Sequence, residues 1–161
     1  MRPLAVTLVL LLGGCVATPV FKHIPAHASP APRDVARSIN EQLERSVLWG
    51  GMVIELREFA GHAAIELLGY PLDAQARPVP QARDGGRFIA VRAGRLDPAE
   101  VVPGRFVTVS GRISGERLGR LNGEDYIWPE VDALEMHLWP RDLNLREHPR
   151  TRIGLGVQLS R

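Results

Sequence analysis

From Val47 to Trp139 apolar side chains recur at every second position in five runs, each closed by glycine, proline or a charged turn. A period of two is that of a strand with one buried face, and a helix cannot satisfy it. In the first run Leu48, Met52, Ile54 and Leu56 share one face, opposite Val53, Glu55 and Arg57, and Gly50-Gly51 inside it predict a bulge or sharp coil. Ala60-Gly61-His62 makes a turn into a second run, where Ile65 and Leu67 alternate with Glu66 and Leu68 as far as Tyr70-Pro71. A loop over 72–86 leads to a third run, Arg87 to Ala93, with Phe88 and Ala90 on one face and Ile89 and Val91 on the other. Gly94 to Gly104 is a connector in which Leu96 and Val101 are placed to plug a barrel end. Arg105 to Ser114 is the clearest strand, with Val107, Val109 and Ile113 alternating with Thr108, Ser110 and Arg112. Gly115 to Asp125 reads as a turn region centred on Asn122-Gly123. Tyr126 to Trp139 is the last run, and its inward set slips between Val131 and Leu134, which predicts a bulge near Asp132-Ala133.

Five short strands at this spacing predict a mainly β chain folded as a small five-stranded antiparallel barrel of the oligonucleotide/oligosaccharide-binding (OB) type, with a sandwich as the alternative. A short helix precedes it: Val35, Ile39 and Leu43 recur every four residues over Asp34 to Arg45. Residues 15–33 hold Pro19, Pro25, Pro30 and Pro32 without apolar periodicity and read as a flexible tether. His23 and His27 stand four apart there, but Pro25 between them opposes a helical metal pair. The domain so defined spans 34–140, and 141–161 reads as an arginine-rich tail.

The first residues are of another kind. Arg2 is followed by an apolar run from Leu4 to Leu12, then Gly13, Gly14 and Cys15, the only cysteine of the chain. This is the layout of a secretory signal peptide over residues 1–14. Twelve residues of helix would cover only about 18 Å, short of the roughly 30 Å of bilayer hydrocarbon. An uncleaved anchor reaching to Phe21 is the rival, opposed by Gly13, Gly14 and Pro19.

Leu12-Gly13-Gly14-Cys15 resembles the lipobox of bacterial lipoproteins. The resemblance implies cleavage before Cys15, a thioether from its sulfur to diacylglycerol and an N-acyl chain on the new amine. The thiolate is the nucleophile such chemistry requires. Outer-membrane lipid is then the first partner, since two acyl chains already hold a protein stably. Val16 stands where an Asp would mark inner-membrane retention, so the expected location is the outer membrane, with the domain facing the periplasm.

Removal of residues 1–14 from the 161 leaves 147, enough for one domain with a real core. With one cysteine no intramolecular disulfide can form. The formal charge of +2 falls by one when Arg2 is lost, so the mature chain lacks the clustered basic excess of a nucleic-acid binder, and no nucleic-acid partner is expected.

Several ordered blocks of this chain are similar to the starvation-inducible outer-membrane lipoprotein (Slp) family: Val47 to Ile54, Ile65 to Asp73 with Arg77-Pro78, Gly86 to Ala90, Leu96-Asp97-Pro98, Gly104 to Gly111, Tyr126 to Pro129 with Val131, and His137 to Pro140. The resemblance covers about two thirds of the mature chain. It implies an envelope lipoprotein, stress-related and of undefined biochemical activity. It supplies no catalytic residues.

The residues advertise little chemistry of their own. There is no Gly-x-Ser-x-Gly elbow, Walker loop, His-Glu-x-x-His pair or Gly-x-Gly-x-x-Gly fingerprint. Glu130, Asp132 and Glu135 form an acidic group, read first as a solvated strand face, and His137 could titrate near neutrality. Trp49, Trp128 and Trp139 are the candidate binding residues: exposed, they would stack on sugar rings or partner side chains; buried, they pack. The packing role is preferred, because Trp49 precedes the Gly-Gly bend and Trp139 closes the last strand. The expectation is therefore a non-enzymatic lipoprotein with no catalytic residues, no metal and no cofactor beyond the acyl groups on Cys15. The alternative is a periplasmic OB-like binding module for an oligosaccharide, peptide or envelope protein.

Overall fold

The computed structural model describes residues 20–143. It is mainly β: two short helices, α1 (Pro32–Val35) and α2 (Ile39–Gln42), precede β1 (Ser46–Phe59), β2 (His62–Tyr70), β3 (Gly86–Ala93), β4 (Phe106–Leu121) and β5 (Glu124–Leu138). The strands form one sheet in the order β1-β2-β3-β5-β4, closed by pairing of β4 with β1.

The expected all-antiparallel sheet needs correction. β3 and β5 run parallel, through Ile89 with Glu130, Ala90 with Val131 and Val91 with Asp132. The reason is parity. Strand directions cannot alternate all the way round a closed ring with an odd number of strands, so one seam must be parallel. It falls at β3/β5 because the 94–104 connector carries the chain past this gap, and β4 pairs with β1 before β5 returns.

Inside the ring lie Val47, Trp49, Val53, Ile65, Leu67, Phe88, Ala90, Val107, Val109, Ile113 and Val131, all buried. The faces of β2 and β4 fall as their alternation predicts, and of the two apolar faces of β3 it is that of Phe88 and Ala90 that points inward. That of β1 is inverted: Val47, Trp49 and Val53 point inward, while Leu48, Met52 and Ile54 are only half-buried. Both faces of this strand are apolar, so alternation carried no sign. The register shift in β1 comes after Val53 rather than at Gly50-Gly51, and it returns Leu56 to the core. Gly50 serves close approach instead. A Cβ there would lie 2.4 Å from Leu72 of the 71–83 loop, which packs across the strand.

β4 and β5 are longer than expected. The predicted turn region from Gly115 is ladder as far as Leu121, and only Asn122-Gly123 turns, with Asn122 at φ 54°. The bulge in β5 sits at Leu134, one residue beyond Asp132-Ala133: Glu135 opposes Ser110 and Ala133 opposes Gly111, which leaves Leu134 unpaired and exposed. Gly111 faces this irregularity, where a Cβ would come within 2.2 Å of the Asp132 carbonyl oxygen.

Val101 is buried in the core with Leu96 packed beside it, entering where Gly104 donates to the Val53 carbonyl (2.9 Å). Val35 and Ile39 enter from another side, near Gly85 and Ile113. The single helix expected over 34–45 is two short turns broken at Ser38, and Leu43 is turned outward. Long-range bonds decide this: Glu44 donates to the Ile113 carbonyl (2.8 Å) and Ile113 to that of Arg45 (3.0 Å), which draws the chain straight into β1.

Candidate functional site

The segment 20–33, expected to be part of a free tether, instead lies on the barrel. It crosses the outer face of β5, β4 and β1 in turn. The backbone N–H groups of Lys22 and His23 both donate to the Glu135 carboxylate (2.9 Å each), and the His23 ring Nδ1 meets the same carboxylate. Ser110 Oγ donates to the His23 carbonyl. Phe21 is 2% exposed and lies edge-on to His137, which itself stands edge-on to Trp139. Further along, Leu48 N–H donates to Ser29 Oγ (2.8 Å) and Trp49 Nε1 to the Pro30 carbonyl (2.7 Å), before Arg33 N–H bonds Gly85 (2.8 Å). The segment is a strap, and its first clasp is Glu135.

Burial and bonding act together on the charged groups of this face. The Lys22 backbone N–H, followed by the His23 side chain, holds the Glu135 carboxyl below the ordinary carboxylate range. Burial pushes the His137 imidazole down, which favours its neutral form. Beside the strap the 71–83 loop is tied by Asp73, whose carboxylate accepts from the backbone N–H of Gln75 and Arg77 (2.9 Å each) and from Arg77 Nε (2.8 Å). Burial alone would raise the Asp73 carboxyl, but these bonds outweigh it and hold it down. The loop reaches β4 through Thr108, whose hydroxyl donates to the Ala76 carbonyl (2.8 Å) and accepts from Trp139 Nε1 (2.9 Å).

Between strap and barrel is a cleft of about 570 Å³, lined by Ile24, Pro25, Leu48, Trp49, Tyr70 and Leu72 among others. That volume is within the range of small-ligand sites, and its walls are mostly apolar.

The three tryptophans do not form an exposed platform. Trp49, Trp128 and Trp139 are 4%, 8% and 8% exposed, and each indole N–H has a partner. Trp49 stands edge-on to Phe88 inside the barrel, whereas Trp128 packs outside it with Ala64 and Ile89 and donates to Glu66 (3.1 Å). The acidic group does not converge either. Glu130 pairs with Arg117 (2.6 Å), Glu135 holds the strap, and Asp132 is exposed. Among the described residues no three His, Cys, Asp or Glu side chains gather as a metal site. Leu12, Gly13, Gly14 and Cys15 lie outside the described residues, as does the tail beyond Leu143.

The clasp was the part missed from the sequence. Its signal was slight: Phe21, one aromatic residue in an otherwise small-residue, proline-rich stretch.

Fold and site together define a small closed β-barrel whose N-terminal chain is strapped along its outside. A family model, the outer membrane lipoprotein Slp family, matches residues 12–154, and the chain belongs to that family. Escherichia coli (strain K12) outer membrane protein Slp is 29% identical over 156 residues, which cover 94% of this chain and 79% of that protein. An uncharacterized Haemophilus influenzae protein is 27% identical over 129 residues, 80% of this chain and 70% of that one. Among solved structures, a small single-stranded DNA-binding protein from Streptomyces coelicolor aligns with a TM-score of 0.38 at 19% identity, covering 59% of this chain and 94% of the other.

Proposed function

We propose that this chain is a lipid-anchored outer-membrane protein that works by position and contact rather than by catalysis. In this reading the signal peptide ends at Gly14, Cys15 carries the diacylglycerol and N-acyl chains, and an OB-like barrel stands on the periplasmic side in support of the envelope under stress. The observation that carries it is the family match beginning at Leu12, which takes in the whole Leu12-Gly13-Gly14-Cys15 motif together with the barrel. Support for a non-catalytic role comes from the carboxylates: Glu66, Glu130 and Glu135 each hold a structural partner. Replacing Cys15 with Ala tests the anchor. The expected outcome is loss of palmitate labelling and release from the outer-membrane fraction, and retention of the variant there would defeat it.

The cleft favours a second reading, a binding module for a peptide, an oligosaccharide or an envelope protein. Tyr70 lines it from the end of β2. Under this reading Tyr70→Ala lowers capture of crosslinked envelope partners in intact cells while the folded barrel persists. Unchanged capture would count against the cleft.

A further inference from the structure

The strap changes the geometry of the anchor. Taken as a free tether, the nineteen residues from Cys15 to Arg33 could reach about 60 Å, at about 3.3–3.6 Å per residue. But the chain is seated on the barrel from Phe21 onward, by a buried phenyl ring and by bonds to Glu135 and Ser110. Only four residues separate Cys15 from Val20, and the five steps from one to the other span at most about 18 Å whatever their conformation. A lipid-bearing Cys15 lies at the headgroup layer, so the barrel face that carries the clasp must lie close to it.

That face is suited to the position. Among the described residues six large apolar side chains are exposed, and three of them flank the clasp: Val20 at 47%, Ile24 at 57% and Leu134 at 54%. Val20 and Ile24 bracket the clasped residues Phe21 to His23, and Leu134 is the bulged neighbour of Glu135. The Lys22 residue between them is exposed, as is the His23 ring, at 68%. Apolar side chains with an adjacent cation match the boundary between acyl chains and anionic headgroups. The Leu134 bulge also has a clear cause, since an extra residue in β5 is what turns this leucine out of the ladder.

We propose that the clasp face, Val20, Ile24 and Leu134 with Lys22, rests on the lipid surface of the membrane holding the anchor, and that the strap keeps it there. The proposal rests on acylation of Cys15. The proposal includes an orientation in which the β4–β5 hairpin tip at Asn122-Gly123 stands off the bilayer; Asp125 beside it lies nine positions from Leu134 along β5, up to about 30 Å at about 3.3 Å per residue.

The test uses full-length acylated protein in vesicles of phosphatidylethanolamine and phosphatidylglycerol doped with an acceptor lipid. With Cys15 acylated, a cysteine introduced at Leu134→Cys or Asp125→Cys is the one free thiol for a donor dye. Energy transfer to the acceptor is expected to be severalfold greater from position 134 than from 125. Adding Phe21→Ala with Glu135→Gln to the Leu134→Cys protein should reduce it toward the 125 value while the protein still floats with the vesicles. Equal transfer from the two positions in floating protein would overturn the docked face and leave the anchor standing, as would transfer from 134 that the clasp substitutions do not change. Protein that neither floats nor carries the acyl mass would reject the anchor, and the docked face with it.

Discussion

The inside of the barrel and the strap on its outside are held by different forces. The interior is apolar throughout, from Val47 to Val131, and depends on area removed from water and on close packing. The strap buries Phe21 and Pro32 and otherwise depends on the Glu135 carboxylate, the Ser29 and Ser110 hydroxyls, the Trp49 indole N–H and backbone groups. Burial of that kind resists acid and salt, whereas charge-assisted bonds are strong but conditional on the carboxylate staying ionised. The interior therefore sets whether the chain folds. The strap, with fewer buried apolar groups, is expected to open at lower cost than the barrel.

Four measurements would sharpen or break this contrast. The largest effect is expected inside: Phe88→Ala, at a fully buried ring packed on Trp49, should lower the stability from urea unfolding by about 3–5 kcal/mol. Gly111→Ala comes next, at about 1–3 kcal/mol, because the new methyl meets the Asp132 carbonyl at the β5 bulge. Phe21→Ala should act on the strap. Loss of a buried phenyl of about 1.5–3 kcal/mol should appear as faster amide hydrogen exchange at residues 20–24, with the barrel strands still protected. Equal loss of protection throughout would show strap and barrel to be one cooperative unit.

The smallest effect is that of pH. Glu135 has a depressed folded pKa, so its hold on the strap is complete above the ordinary glutamate value of about 4.3 and is lost as pH falls through the lower folded value. His137, also depressed, favours the closed strap above about 6.5 and ceases to do so as pH falls through its own lower value. Strap exchange should therefore quicken in two steps on acidification. Glu135→Gln should remove the lower step, and a profile unchanged by that substitution would place the charge dependence elsewhere.

How far the sequence could be read depends on the element. Val107 and Val109 alternate with Thr108 and Ser110, and their inward face follows directly. Leu96 and Val101 were legible as a plug because, with Val102, they are the large aliphatic residues of the connector. β1 was not legible in the same way. Leu48, Met52 and Ile54 outnumber Val47, Trp49 and Val53 in no useful sense, and a one-residue error of phase exchanges the two faces. Glu135 looked like one of three acids on a strand, and nothing local marks it as the acceptor for residues more than a hundred positions earlier.

By itself the sequence determined five strands, tight turns at Gly61 and Asn122-Gly123, and membership of the outer membrane lipoprotein Slp family. These are short-range properties, written in periods, glycines and motif order. Tertiary structure decided the parallel β3/β5 seam, the sign of β1, the bulge at Leu134 and the seating of the strap on Glu135. The seam follows from closing an odd ring and the others from contacts between distant residues, so each requires a partner strand to be in place. The course of the chain between residues 20 and 33 is likewise set by the tertiary contacts of Phe21 and Glu135 rather than by its local sequence.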